Sequence, residues 1–294
     1  MYRIGVDIGG TNIKIGLVDA DGVIFVSGSI PFEKKGYESV CGSIAREIRE
    51  IVSKADREMS EAVTLGIAVP GSLDVRNGIV KAAYNLDFFD VPLKAEMEKH
   101  FPGITVKIVN DADAAALAEV KAGALKGKNS AVMLTIGTGL GGGIILNGEL
   151  FTGGNGNGIE LGHMTIVKLG MECTCGSRGC AEMYCSAAWL ERKSREVFGE
   201  GDAKHVIDLA KSGDPDALEI FDKYTDNLAT AISSICALLD PEAFAIGGGV
   251  SECGDILYDS LKKKVKEKNF FHHDYEIVPA SLGNKAGIIG AAML

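Results

Sequence analysis

The sequence predicts an α/β fold made of two related halves, and three observations carry that expectation. Short apolar strands alternate with amphipathic helices along the 294 residues, which is the pattern of an α/β protein. A strand–turn–strand–turn–strand layout opens the chain and recurs near its middle. Each copy breaks at a glycine-rich turn, and Asp7-Ile8-Gly9-Gly10-Thr11 aligns with Thr135-Ile136-Gly137-Thr138-Gly139 at an offset of 128 residues. That period is too long for a solenoid and suits two half-domains.

The elements follow in order. Residues 2–8 alternate, with Ile4, Val6 and Ile8 on one face, until Gly9-Gly10 breaks the strand. Residues 13–18 form a second strand, Asp21-Gly22 is a hairpin signal, and 23–27 a third strand. Val40, Ile44, Ile48 and Ile51 space a helix over 39–55. Short strands are expected at 63–69, ending on Pro70-Gly71, and at 106–109, with a helix over 113–124. The second hairpin copy reads 131–136, 142–146 and 149–151, with Asn147-Gly148 between the last two. The chain is then largely helical, and 218–239 is the longest candidate. Residues 244–246 form a strand running into Gly247-Gly248-Gly249, then a helix reaches about 268. Small residues over 286–294 predict a closely packed last helix. The halves are expected as 1–115 plus 281–294, and 116–280.

Composition removes several function classes. A net charge of −10 disfavours nonspecific nucleic-acid binding, which needs clustered Lys and Arg. The run Lys262, Lys263, Lys264, Lys266 and Lys268 reads as a solvated helix face. No apolar run approaches the roughly 18–20 residues of a membrane span, and the first residues read as a strand rather than a signal peptide. A cytoplasmic protein is expected.

Three turns have the chemistry of phosphate loops. Glycine lets backbone N–H groups approach an anion, and Thr11 and Thr138 add hydroxyl donors. Asp7, at a strand end, suits Mg²⁺ held through water. Gly247-Gly248-Gly249 would let a nucleoside lie against backbone. Glycine turns also close ordinary hairpins, and it is the duplication that favours the phosphate reading. Asp111 follows an apolar strand and precedes a helix. It fits a helix N-cap, and also a base that accepts the proton of an attacking hydroxyl.

Seven cysteines are present, and Cys173, Cys175 and Cys180 fall within eight residues, ten after His163. Three thiolates and one imidazole complete a tetrahedral Cys₃His zinc site, with no open position for catalysis. Glu160 and Glu182 flank these ligands and would be fixed with them, placed to accept hydrogen bonds from sugar hydroxyls. Cys41, Cys185, Cys236 and Cys253 are expected as small core residues.

These segments together resemble the ROK family of repressors, open reading frames and sugar kinases. The carriers are 7–14 (DIGGTNIK), 110–119 (NDADAAALAE), 135–143 (TIGTGLGGG), 160–163 (ELGH) and 173–182 (CTCGSRGCAE). The resemblance implies a two-domain actin-like ATPase fold of the ribonuclease H-like, hexokinase type. It implies ATP-dependent phosphorylation of a hexose hydroxyl, foremost glucose to glucose 6-phosphate. Another hexose such as N-acetylmannosamine, allose, fructose or mannose is the alternative, and a noncatalytic sugar sensor is the alternative of another class. Asp111 would be the catalytic base. Gly71, Ser72, Asn85, Asn110, Glu160, His163 and Glu182 would bind the sugar, His163 through the ring nitrogen not on zinc. Asp7, Gly9, Gly10, Thr11, Asn12, Lys14, Thr138, Gly139, Gly247, Gly248 and Gly249 would hold ATP and Mg²⁺. A homo-oligomer, dimer or tetramer, is implied. Asp113 and Ile159 depart from the family pattern and put the sugar's identity in question.

Overall fold

A computed structural model of the chain describes residues 1–156 and 158–294. β1 (Tyr2–Ile8), β2 (Asn12–Val18) and β3 (Ile24–Pro31) form an antiparallel meander, followed by α1 (Tyr37–Lys54) and β4 (Ala62–Val69). β5 (Ser72–Asp74), β6 (Ile79–Ala83) and β7 (Phe88–Val91) make a small antiparallel sheet, and α2 (Leu93–His100) leads to β8 (Thr105–Asn110) and α3 (Asp111–Ala122). β9 (Ala131–Ile136), β10 (Leu140–Leu146) and β11 (Glu149–Leu150) come next. α4 (Glu182–Cys185), α5 (Ala187–Phe198), α6 (Ala203–Ser212) and α7 (Pro215–Leu239) follow, then β12 (Ala243–Gly247), α8 (Asp255–Lys268), β13 (Glu276–Pro279) and α9 (Ala286–Ala292).

The two large sheets have the same plan. The first runs β3-β2-β1-β4-β8, with β4 parallel to both β1 and β8. The second runs β11-β10-β9-β12-β13, with β12 parallel to both β9 and β13. In each, three consecutive strands are extended by two parallel strands that arrive after a helical crossover. The repeated hairpin seen in the sequence is therefore the start of a repeated sheet.

The chain divides into two compact units, residues 1–127 with 143–159 and 281–294, and residues 128–142 with 160–280. The sequence-based boundary after residue 115 falls inside α3. The compact unit keeps α3 whole, because α3 packs directly against α9.

The first unit shows why its sheet carries glycine in mid-strand, where glycine is otherwise costly. Gly16, Gly5 and Gly66 are register partners on β2, β1 and β4. A Cβ on Gly5 would lie 2.0 Å from the Ile288 carbonyl oxygen, and one on Gly66 1.8 Å from that of Ala291. The column is a groove that α9 fills backbone to backbone. The opposite face buries Ile4, Val6, Ile8, Ile13, Ile15 and Leu17 against Ile44, Ile48 and Ile51 of α1. Each such aliphatic contributes about 1.5–3 kcal/mol relative to exposure. Tyr2–Ile8 is therefore covered on both faces, and simple alternation understates its burial.

The remaining differences are local. β3 runs four residues further than expected, to Pro31, because its register with β2 continues to Asn12. α7 begins at Pro215, with Asp214 accepting from the Ala217 N–H at 2.9 Å as the N-cap. A 3-10 turn, Gly249–Cys253, separates the glycine turn after β12 from α8. Among the described residues, no helix is long and apolar enough to cross a membrane.

Candidate functional site

In the first unit the site is built on strand ends. β8 ends at Asn110 and α3 starts at Asp111. The N-cap is Asn110, not Asp111: the Asn110 Oδ1 accepts from the Ala112 N–H at 2.9 Å while its backbone is still extended. Asn110 Nδ2 donates to the Gly71 carbonyl at 3.1 Å, which ties the start of α3 to the end of β4. Gly71 has φ +97°, and a Cβ there would lie 2.2 Å from the Ala82 carbonyl oxygen, so only glycine fits. Ser72 and Asn85 stand exposed on the chain segments beside it.

Asp111 is thus the first helical residue, where a carboxylate favours the helix dipole. Its Oδ1 accepts from the Ala112 N–H at 2.9 Å. Its side chain opens to solvent at the helix start, yet enough protein surrounds it that desolvation raises its pKa, against a lesser lowering by backbone hydrogen bonds. Asp7, at the end of β1, is also raised by burial; Lys14 opposes this and the Asp111 charge adds to it. Lys14 is the β2 register partner of Asp7, with its Nζ 3.7 Å from Asp7 Oδ2. The intervening turn is tight: the Gly9 N–H donates to the Asn12 carbonyl at 3.0 Å and leaves Gly10 and Thr11 exposed. Asn85 stands beside it, its Nδ2 3.6 Å from where a Gly10 Cβ would be.

The two departures also fall in this unit. Asp113 is 2% exposed, and its carboxylate oxygens stand 3.1 and 3.5 Å from Cβ positions on Gly143 and Gly158. Its carboxyl group is therefore inside the fold and not on its surface. Ile159 rests its Cδ1 3.6 Å from the Cβ position of Gly153.

In the second unit, Gly247 is the register partner of Thr135, so both glycine turns leave the carboxyl ends of neighbouring parallel strands, where open α/β sheets bind ligands. Gly248 has φ +86°, and a Cβ there would lie 2.2 Å from the Ile136 carbonyl oxygen. This close approach holds Gly247, Gly248 and Gly249 beside Gly137, Thr138 and Gly139. Glu182, the first residue of α4, reaches the same turn. Its Oε2 accepts from the Leu140 N–H at 3.0 Å and lies 2.4 Å from the Cβ position of Gly139. The sequence offers Glu182 only as a sugar ligand. Its bond to the turn joins residues 42 apart, and no local pattern signals it.

The zinc candidates come together as expected from their types. His163 Nδ1 lies 3.6 Å from Cys173 Sγ, Cys175 Sγ lies 3.6 Å from Cys180 Sγ, and all four donor atoms are within 4.8 Å of one another. A tetrahedral zinc with these ligands has edges of about 3.4–3.8 Å, so one nitrogen and three sulfurs fit. Nδ1 is the nitrogen facing the thiols, which leaves Nε2 for another partner. Gly179 has φ +80°, and its Cβ position lies 1.8 Å from the Val167 carbonyl oxygen, so the loop folds back closely on itself. The segment after Cys180 is anchored below by the Tyr224 hydroxyl, which donates to the Cys185 carbonyl at 2.9 Å. Glu160 caps the 3-10 turn Leu161–His163, its carbonyl accepting from the His163 N–H at 3.1 Å. Cys41, Cys185, Cys236 and Cys253 are all buried in the packing.

Comparison with known proteins gives consistent matches over the whole chain. The model of the ROK family matches residues 3–294. A glucokinase from Thermotoga maritima is 40% identical, covering 99% of this chain and 96% of that protein. The crystal structure of a ROK hexokinase from Thermus thermophilus superposes with a TM-score of 0.90 at 31% identity, covering 100% of this chain and 97% of that one. A ROK family glucokinase from Streptomyces griseus, solved with glucose and AMPPNP, superposes with a TM-score of 0.78 at 31% identity, covering 99% and 98%.

Proposed function

Because the chain belongs to the ROK family, we propose that it is an ATP-dependent sugar kinase that converts glucose to glucose 6-phosphate. The reading is supported by full-length likeness to glucokinases, one of them solved with glucose and an ATP analogue. The observation that carries it in this chain is the pair of carboxylates at two strand ends of one unit. Asp111 stands at a helix start with its pKa raised by burial, and its charge acts on Asp7 at the glycine turn.

In this reading Asp111 accepts the proton of the attacking sugar hydroxyl, O6, as the bond from O6 to the γ-phosphorus of ATP forms and the bond from that phosphorus to the bridging oxygen breaks, leaving ADP. A raised pKa suits that role, since the group must take up a proton in the transition state and release it afterwards. Gly71, Ser72, Asn85, Asn110, Glu160, His163 and Glu182 bind the ring hydroxyls, His163 through Nε2. Asp7, Gly9, Gly10, Thr11, Asn12, Lys14, Thr138, Gly139, Gly247, Gly248 and Gly249 bind ATP. Asp7 would hold Mg²⁺ through water, which neutralises phosphate charge. His163, Cys173, Cys175 and Cys180 would hold a structural zinc that stiffens the sugar-binding loop. We expect the enzyme to work in the cytoplasm as a homo-oligomer, with neither nucleic acid nor membrane as a partner.

A coupled assay of ADP release with glucose, mannose, allose, fructose, N-acetylglucosamine and N-acetylmannosamine tests this. Glucose should give the highest kcat/KM. Sugar binding without turnover on any of the six would replace the kinase with a sensor, and preference for another sugar would correct the substrate.

A further inference from the structure

Glu119 is completely buried near the end of α3, and the proposed chemistry does not use it. Its Oε1 accepts from the backbone N–H groups of Ser281 and Leu282, each at 2.8 Å. Its Oε2 accepts from the Ala124 N–H at 2.7 Å and from the Ser281 hydroxyl at 3.1 Å. One carboxylate thus satisfies four donors from two segments that are more than 150 residues apart in sequence. One segment ends α3. The other is the turn that starts the approach to α9.

Where α9 begins matters because the helix has no slack. A Cβ on Gly290 would lie 1.8 Å from the Ala114 carbonyl oxygen of α3. Its other contacts, at Gly5 and Gly66, are equally close. At its first turn, a Cβ on Gly287 would lie 2.6 Å from the Asp7 Cγ. Close-packed backbone transmits displacement and does not absorb it. A shift of the 281–282 turn against the end of α3 must therefore move α9 against Asp7, while Asp111 stays on the first turn of α3.

We propose that Glu119 is a positioning residue for phosphoryl transfer: by locking the entry of α9 to the end of α3, it sets the spacing of the Asp7 and Asp111 carboxylates. The proposal rests on the kinase reading above. Loosening this lock moves α9 against Asp7 on the phosphate and metal side of the site, while Asn110 and Gly71, proposed for the ring hydroxyls, stay bonded to each other at the start of α3.

The test is Glu119→Gln in the full chain. Glutamine keeps one acceptor oxygen but turns an NH₂ toward donors that the carboxylate accepts from. The expected result is a fall in kcat of about tenfold or more, as for a reacting group misplaced by a fraction of an ångström. The Mg²⁺ needed for half-maximal rate should rise several-fold, and so should the Mg²⁺ needed for calorimetric binding of a non-hydrolysable ATP analogue. The glucose KM should stay within about twofold, because uniform binding is untouched. Gly287→Ala removes no group that hydrogen-bonds with Glu119 and presses directly on Asp7, so it should give the same split. If Glu119→Gln does not accumulate folded, Ser281→Ala, which removes one donor, decides on the same quantities with a smaller loss. A folded Glu119→Gln with wild-type kcat and Mg²⁺ requirement would overturn the proposal. So would parallel loss of glucose affinity, kcat and melting temperature alongside a normal Gly287→Ala. A wild-type chain that phosphorylates no hexose overturns the kinase reading and this inference with it, whereas an active wild type with indifferent variants overturns the inference alone.

Discussion

Replacing Glu182 with Ala and with Gln separates two jobs that one carboxylate holds. Its Oε2 is the acceptor for the Leu140 N–H at 3.0 Å, and Leu140 is buried. Alanine leaves that donor without its partner, at a cost of about 1–3 kcal/mol. Each kcal/mol shifts the melting temperature of a domain of this size class by about 2–4 °C, so a fall of roughly 2–12 °C is expected. Alanine also removes a proposed charged partner of a sugar hydroxyl, worth about 1.5–3 kcal/mol, or about 10- to 150-fold in glucose KM. Glutamine keeps an oxygen for the Leu140 N–H and loses the charge. It should melt within about 2 °C of wild type and still raise the glucose KM about tenfold. Differential scanning calorimetry and the coupled assay measure the two effects on the same preparations. A Glu182→Ala protein with wild-type melting would show that the turn does not depend on this bond. A Glu182→Gln protein with wild-type KM would show that the charge does not read the sugar.

Burial raises Asp111 and Asp7 above their usual 3.8, so the acid limb of the kcat/KM profile should be displaced upward from that value, activity falling as the base protonates. A raised folded-state pKa gives stability in acid that is lost as pH rises through it. Asp111→Asn should therefore melt higher than wild type at neutral pH, with the difference closing below the unfolded value, as a pH series of thermal scans would show. The purified protein should carry about one zinc per chain by elemental analysis; Cys175→Ser should lose it and speed hydrogen exchange over residues 163–180, and a wild type free of zinc would contradict the four-ligand site.

What was legible in the sequence was local or repeated. The candidate zinc ligands stand out by type and spacing, and the paired glycine turns by their duplication. The hairpins were readable to within a few residues, because turn chemistry fixes them. Long-range geometry was not readable. The glycine column of Gly16, Gly5 and Gly66 looks like three unrelated mid-strand glycines until register aligns them under α9. The small sheet of β5, β6 and β7 has strands of three to five residues, too short for periodicity to show. The cap at Asn110 was displaced by one residue because Asn and Asp are near-equal N-caps, and only the hydrogen bond to the Ala112 N–H chooses between them. Glu119 reads as one more polar residue on an alanine-rich helix, since its donors are far along the chain.

Turnover of Asp111→Asn with glucose and ATP is the sharpest test of Asp111 as the base in sugar phosphorylation. The substitution keeps the side-chain oxygen that accepts from the Ala112 N–H, so the helix start should survive. Glucose binding by calorimetry should stay close to wild type, and kcat should fall by about 10²–10⁴, the usual contribution of a general base. A kcat within a few-fold of wild type would contradict that role.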